Sequence, residues 1–204
     1  MNLAHADATF RADLASADVV FCDGFGVKWG ARALGLELPE RLTPPDWIDD
    51  FARSAAQAGQ HVFAIGDEEG VSEAFQAALA KTTVGYRSAG AHHGYFAKAG
   101  EETTRVIERI NASGATHLLV GFGMPIQERW IIENLSRLRV KTVVAVGALF
   151  RWRAGIETRA PRWMTDHGLE WVARLLRHPR RHFRRYVLGN PEFAMRVLRA
   201  RLAR

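Results

Sequence analysis

The chain of 204 residues has one cysteine, and its longest apolar run, Val143 to Phe150, is eight residues. A lone thiol, Cys22, cannot close an internal bridge, which excludes a disulfide scaffold and points to a reducing compartment. A membrane-spanning helix needs about 20 apolar residues, so no segment reads as a span. The first residues, MNLAHADATFRAD, are polar and amphipathic, unlike a signal peptide. The G-x-G-x-x-G fingerprint and the P-loop pattern are both missing, so a dinucleotide dehydrogenase is not indicated. What is present is globular: 48% hydrophobic and 25% charged residues, enough for one α/β domain with a sizeable core plus an appendage. The expectation is an intracellular protein, either soluble or peripheral to a membrane.

The net charge of +6 conceals an asymmetry. Residues 151–204 carry 14 Arg and four acids, a net of +10, whereas residues 1–150 carry 14 bases and 18 acids, a net of −4. A body of ordinary charge with a strongly cationic tail predicts an anionic partner for that tail.

Along residues 1–150 apolar runs alternate with amphipathic stretches. Strands are predicted at Asp18 to Cys22, His61 to Ile65, Thr83 to Tyr86, Thr116 to Val120 and Thr142 to Val146. Helices are predicted at Ala4 to Ala15, Gly24 to Leu34, Pro44 to Gly59, Glu69 to Lys81, Gly100 to Ala112 and Pro125 to Leu138. Such alternation implies an α/β, doubly wound, mostly parallel Rossmann-like sheet. Ligands of these sheets bind beyond the carboxyl ends of the strands. The positions to inspect are therefore Asp23-Gly24, Gly66-Asp67, Gly121-Phe122-Gly123 and Gly147-Ala148. Residues 151–204 read as a basic, aromatic-rich helical appendage with no further strand. The expected division is thus 1–150 and 151–204.

Asp23, in CDGFG, stands at an expected strand end before a helix. It reads either as a general base or as a helix N-cap. Gly66, Gly121, Gly123 and Gly147 offer backbone amides to a phosphate, or serve simply as turn residues. In GFGMPIQERW, Gln127 and Glu128 fall in the first turn of a helix, where they face a ligand or complement the dipole. Arg41, on the LPERLT loop, has the donor fork that suits a diphosphate, or is a solvated charge. His92-His93 lack the spacing of a helical metal pair, so no metal is expected. In the tail, Arg177, Arg180, Arg181, Arg184 and Arg185 crowd around Phe183 and Tyr186. That mixture suits an interfacial helix on anionic lipid, with nucleic acid as the competing anion and closure over a substrate diphosphate as a third role.

Six collinear segments, DGFGVKWGARALG, LPERLT, HGYF, VGFGMPIQERWI, VGALF and RAPRWMTDHGLEWVARLLRHPRR, resemble the WecG/TagA/CpsF glycosyltransferases from about Asn2 to Tyr186. The resemblance implies inverting, metal-independent and cofactor-free transfer of a sugar from a UDP-sugar to a polyprenyl-diphosphate-linked saccharide. The donors of the family are of the UDP-N-acetylmannosamine, hexose or hexuronate type. The setting it implies is the inner face of the bacterial plasma membrane, in teichoic acid or exopolysaccharide synthesis, with no nucleic acid as partner. Carried over by motif, Asp23 matches the base. Arg41 matches the arginine of the P-E-R box, and Gln127 and Glu128 match the pair near the nucleotide sugar. Arg181, Arg184 and Arg185 fall in the arginine-rich appendage that meets diphosphate or membrane. Gly66, Gly121, Gly123 and Gly147 complete the expected donor contacts.

Two departures stand out. Where the family usually reads G-A-F-D-F, this chain has LFRWRAG, so Arg151 replaces an acid. The chain also opens inside the family's T-x-N motif, without the strand that precedes it. An uncovered sheet edge would then call for self-association or a compensating contact. These departures motivate an alternative, a catalytically impaired member that binds lipid-linked saccharide or a partner enzyme. A nucleic-acid-binding protein is the third reading and rests on the tail alone.

Overall fold

Along His61–Gly66 the side chains alternate between two packed faces: Val62 and Ala64 join one buried cluster, Phe63 and Ile65 another. A strand buried on both sides needs helices on both sides. This strand, β1, lies in a four-stranded sheet with β2 (Arg87–His92), β3 (His117–Gly121) and β4 (Thr142–Ala145), in the order β2-β1-β3-β4. Every pairing is parallel.

The computed structural model describes residues 2–203, except the side chains of Arg162, Arg181, His182 and Arg185. In chain order its helices begin with α1 (Asn2–Ala6), α2 (Ala8–Ala15), α3 (Phe25–Ala33) and α4 (Pro44–Gln57). Next come α5 (Val71–Thr82), α6 (Gly100–Ala112), α7 (Ile126–Asn134) and α8 (Leu149–Arg153). The last are α9 (Arg162–Asp166), α10 (Glu170–Arg177), α11 (Pro179–Phe183) and α12 (Gly189–Leu202). Two compact units result: residues 44–158, and residues 1–43 together with 159–204.

Residues 44–158 form the α/β unit. On one face of its sheet, α4, α5 and α8 contribute Ile48, Ala52, Phe75, Leu79, Leu149 and Phe150. On the other, α6 and α7 contribute Val106, Ile107, Ile110 and Trp130. The buried positions of α6, namely Thr103, Val106, Ile107 and Ile110, have the spacing of a single helical stripe. The expected doubly wound, parallel α/β architecture is therefore present. From β1 the chain steps outward to β2, then returns past β1 to β3 and β4. The reversal lies between β1 and β3, which makes their carboxyl ends the topological switch point.

Two expected strands are corrected. Asp18 to Cys22 forms no ladder: Val19, Val20 and Phe21 are exposed, and the Cys22 carbonyl accepts the Leu42 N–H at 3.1 Å. An apolar run has strand propensity but does not itself supply a neighbour to pair with. Thr83 to Tyr86 is instead a turn, with Val84 99% exposed and Gly85 in the left-handed region. The strand there is Arg87–His92 (RSAGAH), an edge strand of small residues that an apolar-run criterion passes over. Gly90 supplies the fit, since a Cβ on it would lie 3.0 Å from the Phe63 ring.

Residues 1–43 with 159–204 form a helical unit. Here α3 packs on α12, with Gly30 close under Phe193 and Val197. Asn2 Nδ2 donates to the Gly189 carbonyl at 2.7 Å, and Gly168 lies against the Phe25 ring. The expected basic appendage is helical, and no strand follows β4 among the described residues. No helix among them is long and apolar enough to cross a membrane.

Phe150 is fully buried, with its ring 4.7 Å from that of Phe75. Phe150→Ala should therefore cost the α/β unit about 3–5 kcal/mol, read as a lowered midpoint in urea denaturation.

Candidate functional site

The last rung between β1 and β3 pairs Gly66 with Gly121. A Cβ on Gly66 would stand 2.5 Å from the Gly121 carbonyl oxygen, and one on Gly121 would stand 2.8 Å from the Gly147 carbonyl oxygen. Only glycine lets three strand ends converge this closely. Backbone thus meets backbone at the switch point, the place where open α/β sheets have their ligand crevice.

Gln127 secures this floor. Buried in the first turn of α7, its Oε1 accepts from Gly123 N at 3.1 Å and Gly147 N at 3.2 Å, while its Nε2 donates to Glu128 Oε1 at 2.8 Å. One amide thus ties the end of β3 to the end of β4. The Gly123 and Gly147 N–H groups, expected to face a phosphate, are engaged by this side chain in the structure. Gly66, Gly121, Gly123, Gln127, Glu128 and Gly147 are accordingly brought together at the strand ends.

Two further groups line up with them. The HGYF segment after β2 is held by Lys98, whose Nζ donates to the Gly94 and Phe96 carbonyls at 2.5 and 2.8 Å. The same ammonium lies 3.9 Å from the Phe96 ring centre and 4.5 Å from that of Phe122. Burial lowers its pKa, because desolvation disfavours the charged form, while the charge of Glu102 acts the other way. Arg151 pairs with Asp67 at 2.9 Å and Glu68 at 2.8 Å.

The helical unit holds the remaining candidates. Asp23 is exposed in the segment before α3. Arg41 stacks over the Phe25 ring at 5.0 Å. The Cys22–Leu42 hydrogen bond sets these two segments side by side. Arg184 is exposed in a π turn, Arg184–Leu188. The side chains of Arg181 and Arg185 are among those not described. Arg174, on α10, was not singled out from the sequence. Burial alone would lower its pKa, but the ion pair with Glu170 at 2.5 Å, reinforced by Tyr186 and Asp23, raises it. Glu170 also stands 4.0 Å from Arg159, which donates to Thr43 Oγ1.

Comparison with known proteins gives these features a family. The model described as "Glycosyl transferase WecG/TagA/CpsF family" matches residues 1–204. The chain belongs to this family. It is a glycosyltransferase, and its relatives include two proteins of Staphylococcus aureus, each named N-acetylglucosaminyldiphosphoundecaprenol N-acetyl-beta-D-mannosaminyltransferase. The one from strain MRSA252 is 29% identical over 176 residues, which is 86% of this chain and 68% of the relative. That from strain NCTC 8325 / PS 47 is 28% identical over the same shares.

For this transferase, spacing in the sequence offered a signal for one missed group: Glu170 and Arg174 are four residues apart on a helix, a common ion-pair register. Nothing local marked Asp67 as a partner of Arg151, 84 residues away. Replacing Gln127 with Met should leave two backbone N–H groups without their acceptor and cost about 1–3 kcal/mol, measured by urea denaturation.

Proposed function

We propose that the chain is an inverting, metal-independent transferase that moves a sugar from a UDP-sugar to a polyprenyl-diphosphate-linked saccharide. The donor is of the UDP-N-acetylmannosamine type or a related hexose or hexuronate, and the product enters cell-surface polysaccharide. The observation that carries this reading is the family match across the whole chain. The printed activity of the staphylococcal relatives, mannosaminyl transfer onto a diphosphoundecaprenol-linked sugar, supports the substrate class.

In this reading Asp23 takes the proton of the acceptor hydroxyl as its oxygen attacks C1 of the donor sugar. The C1–O bond to UDP breaks on the opposite face, which inverts the anomeric centre, and the departing diphosphate takes the electron pair. Its growing charge needs cations or oriented donors. Arg41 and the appendage arginines Arg181, Arg184 and Arg185 are assigned that role. The strand-end crevice, with Gly66, Gly121, Gly123, Gln127, Glu128 and Gly147, receives the nucleotide sugar.

The appendage is assigned to the inner face of the plasma membrane. Exposed Leu176, Phe183 and Leu188 alternate there with arginines, the composition of an interfacial helix on anionic lipid. Arg177, Arg180 and Arg184 changed together to Gln should weaken binding to phosphatidylglycerol vesicles. At about 1 kcal/mol for each charge the loss is roughly a hundredfold. Unchanged sedimentation with vesicles would remove the docking role.

Acceptor-dependent UDP release from a panel of UDP-sugars, in EDTA, is the expected signature of the reaction. Asp23→Ala should lower that rate by about 10²–10⁴ while UDP affinity stays within a factor of about two. Near-normal turnover would take Asp23 out of the chemistry. Loss of all turnover in EDTA, restored by a divalent cation, would overturn metal independence.

A further inference from the structure

At the carboxyl end of β1, one side chain from beyond β4 gathers two carboxylates. Arg151 Nε donates to both oxygens of Asp67, Oδ1 at 2.9 Å and Oδ2 at 3.0 Å. Its Nη2 reaches Glu68 Oε1 at 2.8 Å. The Arg151 side chain is 28% exposed and that of Asp67 14%, so this pair is sheltered. Asp67 Oδ1 also accepts the Glu68 N–H at 2.8 Å.

Asp67 is a junction in its own right. Among the described residues it is the only non-glycine with positive φ, at 58°, a conformation uncommon for a residue with a side chain. Its N–H donates to the Gly121 carbonyl at 3.3 Å, and its carbonyl accepts the Gly94 N–H at 2.7 Å. The Asp67 backbone therefore joins β1 to β3 and to the segment after β2, while its side chain joins β1 to α8. Two of the three nitrogens of Arg151 are spent on these carboxylates.

We propose that Arg151 is a positioning residue for the nucleotide-sugar crevice, acting on the ligand through Asp67 rather than by touching it. The clamp holds Asp67 in its left-handed turn and so keeps Gly66, Gly94 and Gly121 in register around the switch point. It also neutralises one of two neighbouring carboxylates that would otherwise repel a diphosphate. The inference rests on the reading that a UDP-sugar occupies this crevice.

A double-mutant cycle on the full chain tests it, with UDP as the probe and calorimetric Kd as the readout. Arg151→Gln should weaken UDP binding about tenfold, yet change it less than about twofold when Asp67→Asn is already present. Thermal unfolding of each variant separates a lost fold from a lost site. Arg151→Lys, which keeps the charge but not the fork, serves as the second variant, and the same dependence on the Asp67 background is expected. Equal losses in both backgrounds would mean that Arg151 meets the ligand directly, and no loss in the parent chain would mean that the clamp is irrelevant. Either result overturns the inference while leaving the nucleotide-sugar reading intact. Failure of UDP to bind the unaltered chain overturns that reading and the inference with it.

Discussion

The convergence of β1, β3 and β4 at Gly66, Gly121 and Gly147 is the constraint on which the α/β unit turns. A methyl group at Gly66 would sit 2.5 Å from a carbonyl oxygen, well inside van der Waals contact, so backbone must meet backbone there. Everything else at the strand ends accommodates this closeness. Gln127 bridges two of the loops with a single oxygen. Lys98 bridges two carbonyls of the segment after β2. Arg151 brings the helix after β4 onto the residue after β1. Gln127 and Lys98 take over backbone donors and acceptors that a regular ladder no longer satisfies, whereas Arg151 answers carboxylates.

Charge is distributed along the chain in a way that follows these tasks. The acids outnumber the bases in the first 150 residues, and within 44–158 carboxylates answer Arg53 (Asp50), Arg151 (Asp67 and Glu68) and Arg153 (Asp49). After Trp171 ten arginines face a single acid, Glu192. Like charges this dense are stable only where water or a counter-ion screens them. The exposed leucines and aromatics among them add an apolar component that a solvated face does not need. A cationic, partly apolar surface and a glycine-floored crevice are the parts that a lipid-linked acceptor and a nucleotide sugar would each require.

Much of the fold was legible because the interior strands are short apolar runs between amphipathic helices. HVFAIG and HLLVG could hardly be read otherwise, and the Gly100–Ala112 helix was read to the residue. The edge strand RSAGAH was not, because it buries little and fits through small size. DVVFC was read as a strand on its composition and joins no ladder. The candidate site was legible as a list of strand-end positions and family motifs. Its internal wiring was not: Gln127 satisfies the amides that were expected to wait for a phosphate, and Arg174 falls within the field of Asp23.

From the order of residues alone come the parallel α/β class, the glycines at the strand ends, the cationic tail and membership of a transferase family, because periodicity, composition and collinear motifs are properties of local sequence. Pairing across the sheet was settled only by the tertiary structure. That Arg151 would be answered by Asp67, that Gly66 would face Gly121, and that DVVFC would join no ladder all depend on which strand ends become adjacent. Adjacency follows from the packing of both faces of the sheet at once, and no local stretch of the chain contains that information.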